Sequence, residues 1–122
     1  MPTTNAQIRE RYARGLYLND GAQLNVADDE PDEDADTVVA ADTDIHVVDI
    51  DGTNTVDLDA AASAGRVVTV VVDDDTGTAA DFADADFVGT GPDNLTASGQ
   101  SATVANVTGE DSGWITVAEG SA

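Results

Sequence analysis

Residues 67–72 read Val-Val-Thr-Val-Val-Val, and the next three are Asp73, Asp74 and Asp75. Six β-branched side chains in succession are stiff at χ1 and suit a pleated sheet better than a helix. A run without polar alternation also implies cover on both faces of the strand. The three aspartates need the opposite surroundings, because an unpaired carboxylate is costly to bury. The chain therefore has to pass from core to water between Val72 and Asp73. A β fold whose strands end in acidic turns meets that demand.

The same tension runs through the whole chain. Twenty-five acidic residues face four arginines, with no lysine, for a formal net charge of −21. There are only five aromatic residues, and Ala and Val supply much of the apolar content, so the core of a single 122-residue domain is thin. Added burial by oligomerisation is expected. At ordinary salt this balance favours disorder. Near molar salt the Debye length falls to about 3 Å, repulsion is screened, and a small core can hold the fold. The excess of Asp over Glu, the absence of Lys and the bulk of Ala, Val, Thr and Gly resemble the proteins of halophilic archaea. With so few cations to displace phosphate counterions, nucleic acid is not an expected partner.

Cysteine is absent, which excludes disulfides and thiolate chemistry. No stretch of the first 26 residues matches a signal peptide, and no window is long and apolar enough to span a bilayer. A soluble protein made in the cytoplasm, with no membrane partner, is expected.

Composition divides the chain into three. Residues 1–26 hold Arg9, Arg11, Arg14 and both tyrosines. Thr4 and Gln7 fit a capping box, Ile8 and Tyr12 share a face, and Gly15 supplies a stop, so a helix of about ten residues is expected. So short a helix has to pack on something. One reading is its own domain. The other is a docking arm, in which Ile8, Tyr12, Leu16, Tyr17 and Leu18 are buried on a partner while Arg9, Arg11 and Arg14 meet its carboxylates. Residues 27–36 carry seven carboxylates around Pro31 and read as an acidic linker. From 37 to 122, short Val-, Ile- and Thr-rich runs alternate with Gly, Asp, Asn and Ser. Strands are expected at "TVVA", "DIHVVDI", "NTVDLDA", "GRVVTVVV", "ADFVG", "SATVANVT" and "GWITVA". The fold class is all-β, a small β-sandwich or barrel-like roll with an N-terminal arm.

Catalytic motifs are missing. A phosphate-binding loop needs a lysine, and Gly99-Gln-Ser-Ala-Thr103 lacks the second glycine of a nucleophile elbow. His46 reads as a strand-surface residue. An EF-hand register with Asp49, Asp51 and Gly52 at positions three, five and six puts Val47 and Leu58 at the end-ligand positions, so a calcium loop fails. The aspartates of 73–75 and Asp81, Asp84 and Asp86 read as a solvated acidic face, with an irregular divalent-cation site built from the two turns as the lesser reading. No catalytic residue, metal ligand or cofactor is assigned, and the protein is not expected to be an enzyme.

Residues 55–117 resemble a β module of tailed-phage fibre and capsid-decoration proteins. The resemblance rests on Val56, Leu58, Ala60 and Ala61, then Gly65-Arg66 before the Val67, Val68, Val70 strand. It continues through the Gly77-Thr78-Ala79 turn, Ser101 and Val104, and ends in Gly113-Trp114 and Val117. Asp59 stands where that family has proline, and Val72-Asp73 where it often has lysine. The resemblance implies a virion part, homotrimeric or alternatively pentameric, without catalytic residues. Val68, Val70, Phe82, Phe87 and Trp114 are the expected core or subunit seam, and Arg66 is expected to pair with a carboxylate across a turn or subunit boundary. The expectation is a haloarchaeal tailed-virus decoration or turret protein on the particle exterior. Residues 1–26 would hold it to the major capsid protein or another virion protein. A tail-fibre or baseplate component, or a cellular adhesion or carbohydrate-binding domain, are the alternatives.

Overall fold

The computed structural model describes residues 24–29 and 36–121. Eight strands follow in order: β1 (Val26–Asp29), β2 (Thr37–Val38), β3 (Ile45–Ile50), β4 (Thr53–Asp57), β5 (Val67–Asp75), β6 (Ala79–Phe82), β7 (Ser101–Asn106) and β8 (Trp114–Gly120). They form a five-stranded sheet in the order β1-β3-β5-β7-β8 and a three-stranded sheet in the order β2-β4-β6. From β1 to β6 the chain therefore changes sheet at every strand.

That alternation sets the pairing. Parallel neighbours need a crossover connection, and here each crossover is a strand of the opposite sheet. β1, β3 and β5 run parallel to one another, as do β2, β4 and β6. The chain thus winds in stacked circuits until β7 and β8 add antiparallel strands to the wide sheet. The described chain is mostly β, as expected, and its wide sheet mixes parallel and antiparallel strands. The N-terminal helix expected near residues 4–14 lies outside the described residues.

One apolar core takes side chains from both sheets. Val48 and Ile50 of β3, Val68, Val70 and Val72 of β5, and Ala102 and Val104 of β7 meet Val56, Ala80 and Phe82 of the narrow sheet. Two buried polar residues add fixed geometry. The ring Nε2 of His46 on β3 lies 2.5 Å from the Thr37 hydroxyl on β2, which ties the sheets together. The Asn106 side chain donates to the Glu110 carbonyl and accepts from the Gly109 amide, closing the loop before β8.

Successive circuits also touch at their turns. The Gly77 amide donates to the Ile50 carbonyl and Thr78 to the Gly52 carbonyl, both at 2.8 Å. A Cβ at Gly77 would sit 2.1 Å from the Gly52 nitrogen, so only glycine lets these turns stack.

Three local expectations differ from the structure. His46 is 1% exposed, because His46, Val48 and Ile50 point inward and the apolar Ile45 and Val47 point out. The strand expected at 85–89 lies instead at Ala79–Phe82, where β6 pairs with β4, and Asp84–Asp86 form a 3-10 turn. β1 takes in Val26, assigned to the arm, and residues 27–29, assigned to the linker. A parallel edge strand tolerates acidic residues because Asp28 points to water, so a charge run does not mark its end.

Candidate functional site

The side chains on the outer face of the five-stranded sheet follow from strand alternation. Across one row the register runs Val26, Ile45, Thr69, Thr103 and Ala118. Neighbouring rows add Asp28, Val47 and Val71, and Val67 beside Ala105 and Ile115. Of these eleven residues only Asp28, on the edge strand, is charged. Val26 is 61% exposed and Val67 49%, while Ile45, Val47, Val71, Ala105 and Ile115 are half-buried. The hydroxyls of Thr69 and Thr103 bond each other at 2.9 Å, so the polar atoms in the middle of the face are satisfied across the strands. On a chain with a net charge of −21, this is a flat apolar surface bordered by carboxylates.

At the starts of β3 and β5 the face is held by Arg66. Its Nε donates to the Ala41 carbonyl and its Nη1 to Asp44 Oδ1, both at 3.0 Å, and Nη2 donates to the Thr43 carbonyl. The guanidinium thus fixes the turn before β3 through three acceptors. Asp44 also receives the Asn25 amide, and that bond, followed by Arg66, holds its carboxyl below the usual range against the opposing effect of burial. A depressed carboxylate stabilises the fold above its unfolded pKa and loses that contribution as pH falls through the folded value. Arg66 pairs with a carboxylate, that of Asp44, which precedes the neighbouring strand β3. Beside it, Leu24, Ile45, Gly65, Val67 and Thr69 line an open groove of about 490 Å³.

The opposite end of the face is acidic. Carboxylate oxygens of Asp49, Asp73 and Asp74 lie within 4.8 Å of one another. Burial first, then the charges of Asp74, Asp28 and Asp73, push the Asp49 carboxyl up, against a bond from the Asp74 amide. A raised carboxyl lowers stability as pH climbs through its folded pKa, so near neutrality Asp49 opposes folding. Asp49→Asn is expected to shift salt-dependent folding to a lower salt concentration, with a gain of a few tenths to about 1 kcal/mol. Circular dichroism across a salt series checks this. A second group forms where burial and the charges of Asp59, Asp57 and Asp111 raise Asp86.

The residues expected in the core are buried. Val68, Val70 and Trp114 are fully buried, and Phe82 and Phe87 meet edge to face at 6.1 Å and 84°. The expected arm residues Ile8, Arg9, Arg11, Tyr12, Arg14, Leu16, Tyr17 and Leu18 lie outside the described residues. Sequence reasoning did not single out Ile45, Val47, Val71, Ala105 or Ile115. The available signal was "DIHVVDI", in which both alternation phases contain apolar residues.

No protein-family model matches the chain, and no curated protein or solved structure matches it. Among the described residues no helix is long and apolar enough to cross a membrane.

Proposed function

We propose that the protein is a structural component of a haloarchaeal tailed virus, a capsid decoration or turret protein projecting from the head. The observation that carries this reading is the apolar middle of the outer face of the five-stranded sheet, on so acidic a chain. A face of that kind remains favourable to bury when salt has screened the carboxylates around it, and burying it against another copy supplies the area a thin core lacks. The continuous run Val67–Val72 fits the same reading. Val68, Val70 and Val72 serve the domain's own core, while Val67, Thr69 and Val71 are left for a neighbour. The sequence resemblance to phage fibre and decoration modules supplies the particle. A homotrimer on the exterior, held by the basic arm to the major capsid protein or another virion protein, is the arrangement proposed.

The stacked parallel circuits favour one second reading, a tail-fibre or baseplate component, because such circuits extend along an axis. Both readings require self-association. In about 3 M salt, where repulsion is screened, sedimentation is expected to show a trimer. Ile45→Asp combined with Val71→Asp, each placing a carboxylate on the half-buried outer face, is expected to yield a folded monomer. A monomeric parent protein under the same conditions would remove the basis of the proposal.

A further inference from the structure

The outer face of the five-stranded sheet has two unlike ends. Along β5 the side chains of Val67, Thr69, Val71 and Asp73 point to it, since Val68, Val70 and Val72 point into the core. At the strand starts lie Val67 and Arg66, the one arginine among the described residues, whose Nη1 meets Asp44 Oδ1 at 3.0 Å. At the strand ends lie Asp49, Asp73 and Asp74, with carboxylate oxygens within 4.8 Å of one another and no ion pair to any of them among the described residues. The face thus runs from a matched charge pair, through an apolar middle, to an unmatched acidic end.

Arg66 also keeps a donor in reserve. A guanidinium carries five N–H donors. Four go to the Ala41 carbonyl, Asp44 Oδ1, the Val67 carbonyl and the Thr43 carbonyl, which leaves one on Nη2 for an acceptor outside the chain. The side chain is 19% exposed, so a carboxylate can approach it. In a ring of three copies each contact joins two different surfaces. With the outer faces turned to the threefold axis, strands running along the axis would gather the acidic ends of all copies at one level, and like charges side by side oppose assembly. Strands running across the axis bring the ends of β3 and β5 in one copy to the starts of β3 and β5 in the next. We propose that the copies associate head to tail in this way, with Asp73 and Asp74 of one copy approaching Arg66 of its neighbour and the apolar middle buried between them. This rests on the self-association reading and adds which ends of the face meet.

Cysteine cross-linking in about 3 M salt tests the proposal on the full chain, which has no cysteine of its own. Val67 and Asp73 are both exposed and lie on one face of β5, about 20 Å apart at the usual rise of a strand. A disulfide needs Cα atoms within about 7 Å, so the two positions cannot be linked within one copy. Mild oxidation of Val67→Cys combined with Asp73→Cys is expected to give a covalent trimer on a denaturing gel, with the circular dichroism of the parent. A mixture of Val67→Cys chains with Asp73→Cys chains, one substitution in each, is expected to stop at covalent dimers. Either single variant alone is expected to stay unlinked. Links between two Val67→Cys chains or between two Asp73→Cys chains would overturn the head-to-tail arrangement. So would covalent dimers as the end product of the double variant, which mark a twofold pairing of like faces, or no link at all. Each of these leaves self-association standing if the parent sediments as an oligomer, whereas a monomeric parent would overturn both.

Discussion

Diluting the salt from about 3 M to about 0.1 M is expected to abolish the β-sheet circular dichroism, and restoring it to recover the signal. The structure shows where the repulsion accumulates. Asp49, Asp73 and Asp74 converge at one end of the wide sheet, and Asp57, Asp59, Asp86 and Asp111 act on one another at another site. Among the described residues, one ion pair, between Arg66 and Asp44, offsets these charges. Like-charged neighbours cost roughly 0.2–1 kcal/mol each when poorly screened, and about 10 Å of Debye length at 0.1 M leaves them so. A domain of this size has about 5–15 kcal/mol to lose, and this one has a thin core. Full retention of the signal in dilute salt would contradict the link between composition and folding.

Trp114→Ala is expected to be the most damaging single truncation. Trp114 is the sole tryptophan, it is completely buried, and it pairs with Asn106 at the start of β8. Its carbonyl also accepts the Val88 amide at 2.7 Å, which brings Phe87 and Val88 against the sheet. Removing the indole costs about 3–5 kcal/mol, and the melting temperature in concentrated salt is expected to fall by more than about 10 °C. Trp114→Phe, which keeps most of the volume and removes an indole N–H that has no partner among the described residues, is expected to cost far less. Thermal melts of both variants decide the matter. A loss below about 1 kcal/mol in Trp114→Ala would show that the core does not depend on this residue.

Much of the β domain was legible because its signals are local. The run Val67–Val72 gave β5, and the alternation of "SATVAN" and "WITVA" gave β7 and β8. Trp114, Phe82 and Phe87 are large apolar groups in a chain with few of them, so their burial followed from composition. The parallel winding was not legible, since period two marks a strand without naming its neighbour. His46 was misplaced for a related reason. In "DIHVVDI" both phases are apolar, and the inner phase is the one that contains the histidine and asks the Thr37 hydroxyl to satisfy it. β1 was missed because carboxylates dominate residues 28–36 and charge alone suggested a linker. Arg66 was legible as a pairing residue, though its carbonyl acceptors at Ala41 and Thr43 depend on the fold.

The structure also moves the place where the arm can be cut. Asn25 bonds Asp44 and Val26 belongs to β1, so removing residues 1–26 would damage the domain as well as the arm. Removing residues 1–23 takes away all eight expected arm residues and leaves the described strands intact. The decisive measurement is electron microscopy of haloarchaeal tailed-virus particles incubated in concentrated salt with the full chain or with the chain lacking residues 1–23. Added density on the head surface is expected with the full chain, and a folded, self-associated but unbound protein without the arm. Equal density from both, or none from the full chain, would contradict it.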